Sequence, residues 1–563
     1  MRTHYPRTRH LPWSPGATAD DLRVTGLSGL RGHEVVVTEK LDGENTTLYA
    51  DGLHARSLDS AHHPSRTWVK ALQARIGHAV PAGWRVCGEN MFARHSLRYD
   101  DLDSWFYGFS VWDGDGRCLD WDRTVVFLRG LGIPVPRVLW RGVFDERALR
   151  ALRLDLGRQE GYVVRVVDGF GAQEFGARVA KWVRAGHVRT DTHWMHAAVV
   201  ENGLGTGAPL WAVRSGASAD ADALAEAVGL PGEGDREAVA RFDPAGRTGD
   251  DRLIGVLAAL LHHHDQGGRR ARIAARTAGV VGMPLARRVA DLVGLHPALH
   301  RPYPDEDRRT GLARLSLAAD LGLLHAVARA TAATDEAREQ VEWSALHAEE
   351  VRGLDEGALR EAFAELSPDA AVRCRAEARE AYARGRVGGG GGSGAAEEAV
   401  AATWRWRSGA FPRLIQLVGP AGSGKSTFAR GLTGVDAYVS LDDLREARGA
   451  RADQRANADV LRAGLDRLDG ALAAGGTTVW DATSLNHQQR SLVHAVAHRR
   501  NALVTHAVVL VDEDELIRRN TRREHPVPPE VLTAQLRRFA PPYPGDAHRT
   551  WYVGASGTLE EEV

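Results

Sequence analysis

The chain has few cysteines, almost no net charge and no long apolar run, and each shortage narrows what it can be. Its three cysteines, Cys87, Cys118 and Cys374, are scattered over 563 residues and form no C-x-x-C pair. Neither a disulfide framework nor a structural zinc site is expected, as suits a reducing compartment. Lys and Arg number 72 against 73 Asp and Glu, for a formal net charge of −1. The whole chain therefore carries no electrostatic signature of nucleic-acid binding, and any such surface must be local. No apolar run approaches the ~20 residues of a membrane helix. The basic opening MRTHYPRTRHLPWSPG is followed by no apolar h-region, so no secretory signal is expected. These absences point to a soluble, cytoplasmic protein with no membrane partner. What is present, 43% hydrophobic and 26% charged residues, is ordinary for globular protein. The length exceeds what one core can organise, and roughly three to four domains are expected.

The clearest boundary is GGGGGSG at 388–394. A tract without side chains to pack and with high backbone entropy reads as a flexible linker. Short β-branched and aromatic runs between 30 and 200 (EVVVTEK, WRVCGEN, WFYGFSVWD, EGYVVRVV, ARVAKWVR) predict a mixed, strand-rich domain over 1–203. From 204 to 387 Ala, Leu, Arg and Glu recur at helical spacing, which predicts an all-α region. Residues 395–563 read as one α/β unit.

The strongest local pattern in the first domain is EKLDGEN, with Lys40 at the end of a β-like run and Asp42, Gly43 and Asn45 in the turn. A lysine among acids at a strand end is either a solvated ion-pair edge or a nucleophile. Lysine attacks a phosphorus centre only once deprotonated, by burial or a neighbouring cation. The downstream order supports the second reading: Arg56 and Ser57 in LHARSLD, Glu89 in CGENMFARHS, Phe109 in YGFSVWD, Glu160 in QEGYVVR and Lys181 in VAKWVR. These supply a nucleophile, cations for phosphates, carboxylates for ribose and metal, and an aromatic ring for a base.

The series resembles the nucleotidyltransferase motifs of covalent nucleic-acid ligases, most nearly the RNA ligase 2-type family, over about residues 30–200. The resemblance implies that Lys40 attacks the α-phosphorus of ATP and carries AMP. It implies that Glu39 and Phe109 hold the adenine, Glu89 the ribose, Arg56 and Lys181 the phosphates, and Glu160 the catalytic metal, with Asn45 assisting later steps on the RNA end. Mg²⁺ or Mn²⁺ is expected, because the leaving pyrophosphate needs a hard, oxygen-preferring cation. In the last motif the family's second lysine is replaced by Val183, and Arg184 beside it is the expected compensation. DNA ligases and capping enzymes share this chemistry. The short GFSVWD segment and the helical texture afterwards, where an OB-type region would stand, favour the RNA ligase reading.

In the last domain LIQLV runs into GPAGSGKST, a P-loop of Gly419, Gly422, Gly424, Lys425, Ser426 and Thr427. Its backbone N–H groups converge on phosphates at a helix N-terminus, Lys425 reaches the β/γ-phosphates and Ser426 serves the metal. Next, YVSLDDLR places Asp442 and Arg445 past a second strand, either as a base with an anion-binding group or as an ordinary helix cap, since Ser440 and Asp442 both cap well. TVWDATSLNHQQR ends another strand in Asp481, and RRNTRREHPVPPEVL is either a solvated basic helix or a lid. The arrangement resembles the polynucleotide kinase family over about 412–545. That implies Asp442 activating an RNA 5′-hydroxyl, Arg445 binding the adjacent phosphate, and Arg519 and Arg523 as lid residues on the donor phosphates.

The middle region carries LLHHHDQGG, with His262, His263, His264 and Asp265, and LVGLHPALH, with His296 and His300. His264-Asp265 resembles the core of an HD phosphohydrolase. The earlier His and later Asp of a working site are missing: no histidine lies between His196 and His262, and Ala330 and Thr331 stand where an acid would. A degenerate HD-like scaffold or RNA-binding platform is the favoured reading, and a metal-dependent phosphatase of 2′,3′-cyclic or 3′-phosphate ends is the alternative. The expected fold is multidomain: an α+β ligase domain, an all-α HD-like domain and an α/β P-loop domain. The reading that unites the ends is RNA end healing and sealing, with RNA ends, broken tRNA among the candidates, as partner. The competing reading is a P-loop kinase of a small metabolite behind a non-catalytic ATP- or RNA-binding module.

Overall fold

The computed structural model describes residues 2–58, 62–186, 198–232, 234–242, 246–265, 269–351, 356–386, 395–447, 457–523 and 526–563. The glycine tract 388–394 lies outside them. The chain forms two compact units, Met1–Gly232 with Ala245–Leu253, and Glu233–Pro244 with Ile254–Val563.

The first unit is built on two sheets. One has the order Arg9–His10, Val179–Val183, Gly161–Val166, Glu34–Lys40, Val138–Val143, antiparallel except where Arg9–His10 joins. The other runs Phe170–Gly171, Arg117–Cys118, Phe106–Trp112, Arg85–Asn90, Glu44–Tyr49, Gly52–Ala55. The period of two sorts the side chains. Val35, Val37, Tyr162 and Val164 of the first sheet meet Cys87 and Trp112 of the second in a shared core. Val86 and Val111 point the other way, onto Val69, Leu72 and Ile76 of the helix Thr67–Ile76. The chain passes from the first sheet to the second within the turn between Lys40 and Glu44. EKLDGEN is therefore the hinge of two sheets rather than a free edge. Cys87, Cys118 and Cys374 are buried and free.

The second unit combines the helical region with a six-stranded sheet of order Ala437–Ser440, Thr477–Asp481, Arg413–Val418, Leu503–Val509, Arg549–Val553, Leu559–Glu562. The first five strands are parallel and the last antiparallel. Their continuous apolar runs reflect burial on both faces: Leu414 packs with Leu468 and Val493 on one side, Ile415 and Leu417 with Phe428 on the other. The helix Met283–Leu295 joins this sheet through charge. Arg287 donates two bonds, at 2.9 and 2.8 Å, to Glu561 of the edge strand, and with Arg270 holds the buried Asp291 at 2.8 Å each. Among the described residues no single helix is long and apolar enough to cross a membrane. The architecture is thus multidomain, with an α/β N-terminal part, a helical middle and a C-terminal parallel-sheet part.

Candidate active sites

Backbone register assembles the first site. Lys40 pairs with Gly161 and Glu39 with Tyr162, which sets Glu160 beside the lysine. Lys40 Nζ donates to Glu160 Oε2 at 2.5 Å; the Lys40 side chain is 22% exposed and Glu160 is 4% exposed. Lys181, one strand further, pairs with Val163 and with His10. Asn45 pairs with Glu89 across the second sheet. Glycine is required twice. A Cβ on Gly161 would sit 2.0 Å from the Trp182 carbonyl, and one on Gly43 would sit 2.5 Å from the Asn90 carbonyl and 2.7 Å from Met91 sulfur. Both close approaches bring the strands carrying Glu89, Glu160 and Lys181 up to Lys40.

The electrostatics are those of one half-buried ammonium among carboxylates. Burial alone would lower the Lys40 pKa, but Glu160, Glu89 and Asp42 outweigh it and hold it above the ordinary value. Burial pushes the Glu89 carboxyl up to about 8, although Lys40 opposes it. Lys181 is pushed down by burial and then by the Lys40 charge, and His10 is pushed down to about 4 by burial and Lys181. Glu39 is raised by burial, opposed by Gln159 and by Arg137, whose guanidinium lies 3.6 Å away. The donor set suits a hard divalent cation: Glu89 and Glu160 offer carboxylate oxygens beside Lys40, and a cation would favour the charged form of Glu89 that burial now disfavours.

The other sequence-predicted positions have the following local surroundings. Phe109 is half-buried, edge-on to Tyr5 at 5.2 Å, with the Arg165 guanidinium 5.8 Å from its ring and bonded to its carbonyl. Arg56 is exposed at the end of Gly52–Ala55, and its carbonyl accepts from the His4 ring at 3.0 Å. Val183 is buried and its N–H donates to Ser14 Oγ at 2.9 Å, while Arg184 donates to the Leu156 carbonyl. Two residues without an assigned role prove central to the geometry. Asp42 accepts the N–H groups of Ser96 and Leu97 at 2.9 and 2.8 Å, fixing the loop after the Glu89 strand. Arg165 braces Phe109 from below. The charge set inside the apolar run VVRVV was the available signal for Arg165.

The second site begins where Arg413–Val418 ends. Gly419, Gly422 and Gly424 have φ of 154°, 82° and 95°, values L side chains rarely adopt, and the helix Lys425–Arg430 follows with Ser426 and Thr427 in its first turn. Burial lowers the Lys425 pKa, against the nearby charges of Asp481 and Asp442. Ser440, not Asp442, caps the next helix, accepting the Asp443 N–H at 3.1 Å. Asp442 is left to pair with Arg445 at 2.5 Å, with its side chain 54% exposed. Asp481 is buried and accepts the Tyr438 hydroxyl at 2.6 Å. Arg519 donates to the P-loop carbonyl of Ser423 at 3.2 Å and to Ala555 at 2.6 Å, whereas Arg523 is exposed. Gln535, which the sequence did not single out, accepts the Ala421 N–H at 2.8 Å and so ties the helix Pro529–Arg538 to the loop.

In the helical region the side chains of His264 and Asp265 lie outside the described residues. His262 and His263 both bond Asp235, while His296 and His300 bond the carbonyls of Leu292 and Ala328.

Residues 33–183 match the RNA ligase family model, and residues 414–542 match that of the AAA domain. The N-terminal part is therefore of RNA ligase type and the C-terminal part of a P-loop, kinase-like type. Among solved structures the chain is similar to an archaeal ATP-dependent RNA ligase, at 16% identity and TM-score 0.23, covering 32% of this chain and 48% of that one. It is also similar to a mutant of the Naegleria gruberi RNA ligase with ATP and Mn, at 16% identity and TM-score 0.21, covering 32% and 61%. A third is a sugar kinase from Janibacter sp. HTCC2649, at 20% identity and TM-score 0.22, covering 26% and 86%. The chain thus spans about half the length of the archaeal ligase. No curated protein matches it.

Proposed function

We propose that the protein heals and seals RNA ends: the P-loop part phosphorylates a 5′-hydroxyl, and the ligase-type part joins the resulting 5′-phosphate to a 3′-hydroxyl through a lysyl-AMP intermediate. The observation that carries the reading is Lys40, half-buried at a strand end against Glu160 and Glu89, in the same chain as a P-loop whose neighbouring helix presents Asp442 paired to Arg445. One product is the other site's substrate, which gives the fusion a chemical reason.

In the sealing site Lys40 Nζ is the nucleophile toward the α-phosphorus of ATP, with pyrophosphate leaving. Its pairing with Glu160 holds it protonated. Drawing that carboxylate away removes the largest charge opposing burial; Glu89 and Asp42 still favour the ammonium, while burial and the Lys181 charge favour the neutral amine. Glu160 would hold Mg²⁺ or Mn²⁺, which when bound supplies charge neutralisation for the leaving group, and Glu89 would hold the ribose. Lys181 and Arg56 would grip phosphates, Asn45 the RNA end, and Glu39 and Phe109 the adenine. In the healing site Asp442 would take the proton of the 5′-hydroxyl, with Arg445 on the acceptor phosphate. The P-loop amides, Lys425 and Ser426 would position the donor, and Arg519 and Arg523 would close over it.

The test is incubation of the full chain with α-labelled ATP and Mg²⁺, without RNA, followed by denaturing electrophoresis. A labelled band absent from Lys40→Ala supports the reading. No label, in protein freed of bound AMP, removes the ligase half. Competition of γ-phosphate transfer by 5′-hydroxyl oligonucleotides then separates an RNA kinase from a kinase of a small metabolite.

A further inference from the structure

We propose that Asp235, His262 and His263 form a binding site for a divalent first-row transition-metal ion, separate from both nucleotide sites. The three residues come from segments 27 and 28 positions apart, yet one oxygen, Asp235 Oδ2, lies 2.9 Å from His262 Nε2 and 2.8 Å from His263 Nε2. The three donor atoms all fall within 4.8 Å of one another. An ion bound tetrahedrally at about 2.0–2.2 Å from each needs donors about 3.3–3.6 Å apart. The shortest pairs of the cluster, at 2.8 and 2.9 Å, have to open by about 0.4–0.8 Å.

The surroundings orient the donors. Asp235 Oδ1 is fixed as the cap of the helix Arg236–Arg241, accepting the Ala238 N–H at 2.9 Å, so the carboxylate cannot turn Oδ2 away without losing the cap. His262 is 11% exposed, and the buried His296 ring stands edge-on to it at 5.8 Å. His263 is 68% exposed, which leaves the cluster open to solvent on one side.

The donor set selects the ion. Two imidazole nitrogens and one carboxylate suit Zn²⁺, Co²⁺ or Ni²⁺ rather than Mg²⁺, which prefers an oxygen shell. Three protein ligands leave coordination positions for water or an anion, as in reactive rather than purely structural sites. The site uses neither His264 nor Asp265.

The experiment uses the full chain, stripped with chelator and titrated with Co²⁺ in the absence of nucleotide. Binding is followed by visible d–d absorption, with Zn²⁺ equilibrium dialysis in parallel. The expected result is saturable binding of one equivalent that excess Mg²⁺ does not displace. Asp235→Asn, which keeps a capping side chain, and His263→Ala, which removes an exposed ring, should each weaken it on the order of 100-fold or more. Labelling of Lys40 by α-labelled ATP should be unchanged in both. Absence of saturable Co²⁺ binding in the full chain, or equal affinity in both variants, would overturn the proposal.

Discussion

The turn that carries Lys40 to Asn45 is anchored by a buried ion pair, and breaking it on one side should be costly. Glu44 opens the strand Glu44–Tyr49, and Arg66 ends the short turn before the helix Thr67–Ile76. Arg66 Nε donates to Glu44 Oε2 at 2.8 Å, and its Nη2 bonds the other oxygen. The side chains are 6% and 8% exposed. Arg66→Met keeps most of the packing volume but leaves a carboxylate buried without its bidentate partner. Losing one partner of such a pair costs about 3–5 kcal/mol. For a unit of this size each kcal/mol lowers Tm by about 2–4 °C, so the transition of the first unit should fall by roughly 6–20 °C. Scanning calorimetry of the full chain reads this directly. The second unit's transition serves as an internal reference, because neither residue lies in it. The double variant Glu44→Leu with Arg66→Met removes both charges and should recover most of the loss, since an apolar pair of similar volume often matches a buried ion pair. A single variant within about 1 kcal/mol of the parent, or a double variant as unstable as the single, would refute the assignment of the cost to an uncompensated buried charge.

Three further outcomes are expected. Glu89 is raised in the folded state to about 8, above its unfolded value, so the stability linked to its proton is fully present below the unfolded pKa and is lost as pH rises toward 8. Glu89→Gln should therefore gain in Tm on the parent from pH 5 to pH 8, and a gap that stays constant would argue against the shift. Gly43→Ala places a methyl 2.5 Å from the Asn90 carbonyl. It should depress Lys40 labelling at least tenfold while 5′-phosphorylation persists, and full labelling would show that the turn tolerates the displacement. Asp442→Asn should abolish phosphate transfer to a 5′-hydroxyl oligonucleotide, with Lys40 labelling untouched. Transfer within a few-fold of the parent would remove Asp442 from the role of base.

How much of this was legible in the sequence depends on how local each feature is. The strand before Lys40 and the P-loop are contiguous patterns, and both stand where periodicity and glycine spacing put them. Whether Asp442 acts or merely caps was open at that level, because Ser440 and Asp442 are both good caps; only the helix start, with Ser440 bonded to the Asp443 N–H, frees Asp442 for Arg445. What the sequence concealed is what register and burial create. That Glu160 falls beside Lys40 follows from the pairing of Lys40 with Gly161, and no spacing rule states a cross-strand partner 120 residues away. Gln535 on the P-loop is hidden for the same reason, being 114 positions from Ala421.

The helical region shows the complementary failure. Motif reasoning asked for a histidine before His262 and an acid after it, and by that test the region looked damaged. The structure brings an acid from before His262 instead, with Asp235 as a helix cap whose second oxygen meets two adjacent imidazoles. An aspartate ahead of Arg236 and Glu237 reads in sequence as a cap and nothing more, since capping fully explains it. Its second oxygen has no sequence signature, because a cap uses only one. Ligand sets formed in this way share residue types with a motif but not its order. A missing motif residue is therefore weak evidence that a region lacks a metal, and the Co²⁺ titration of Asp235→Asn decides the matter where order cannot.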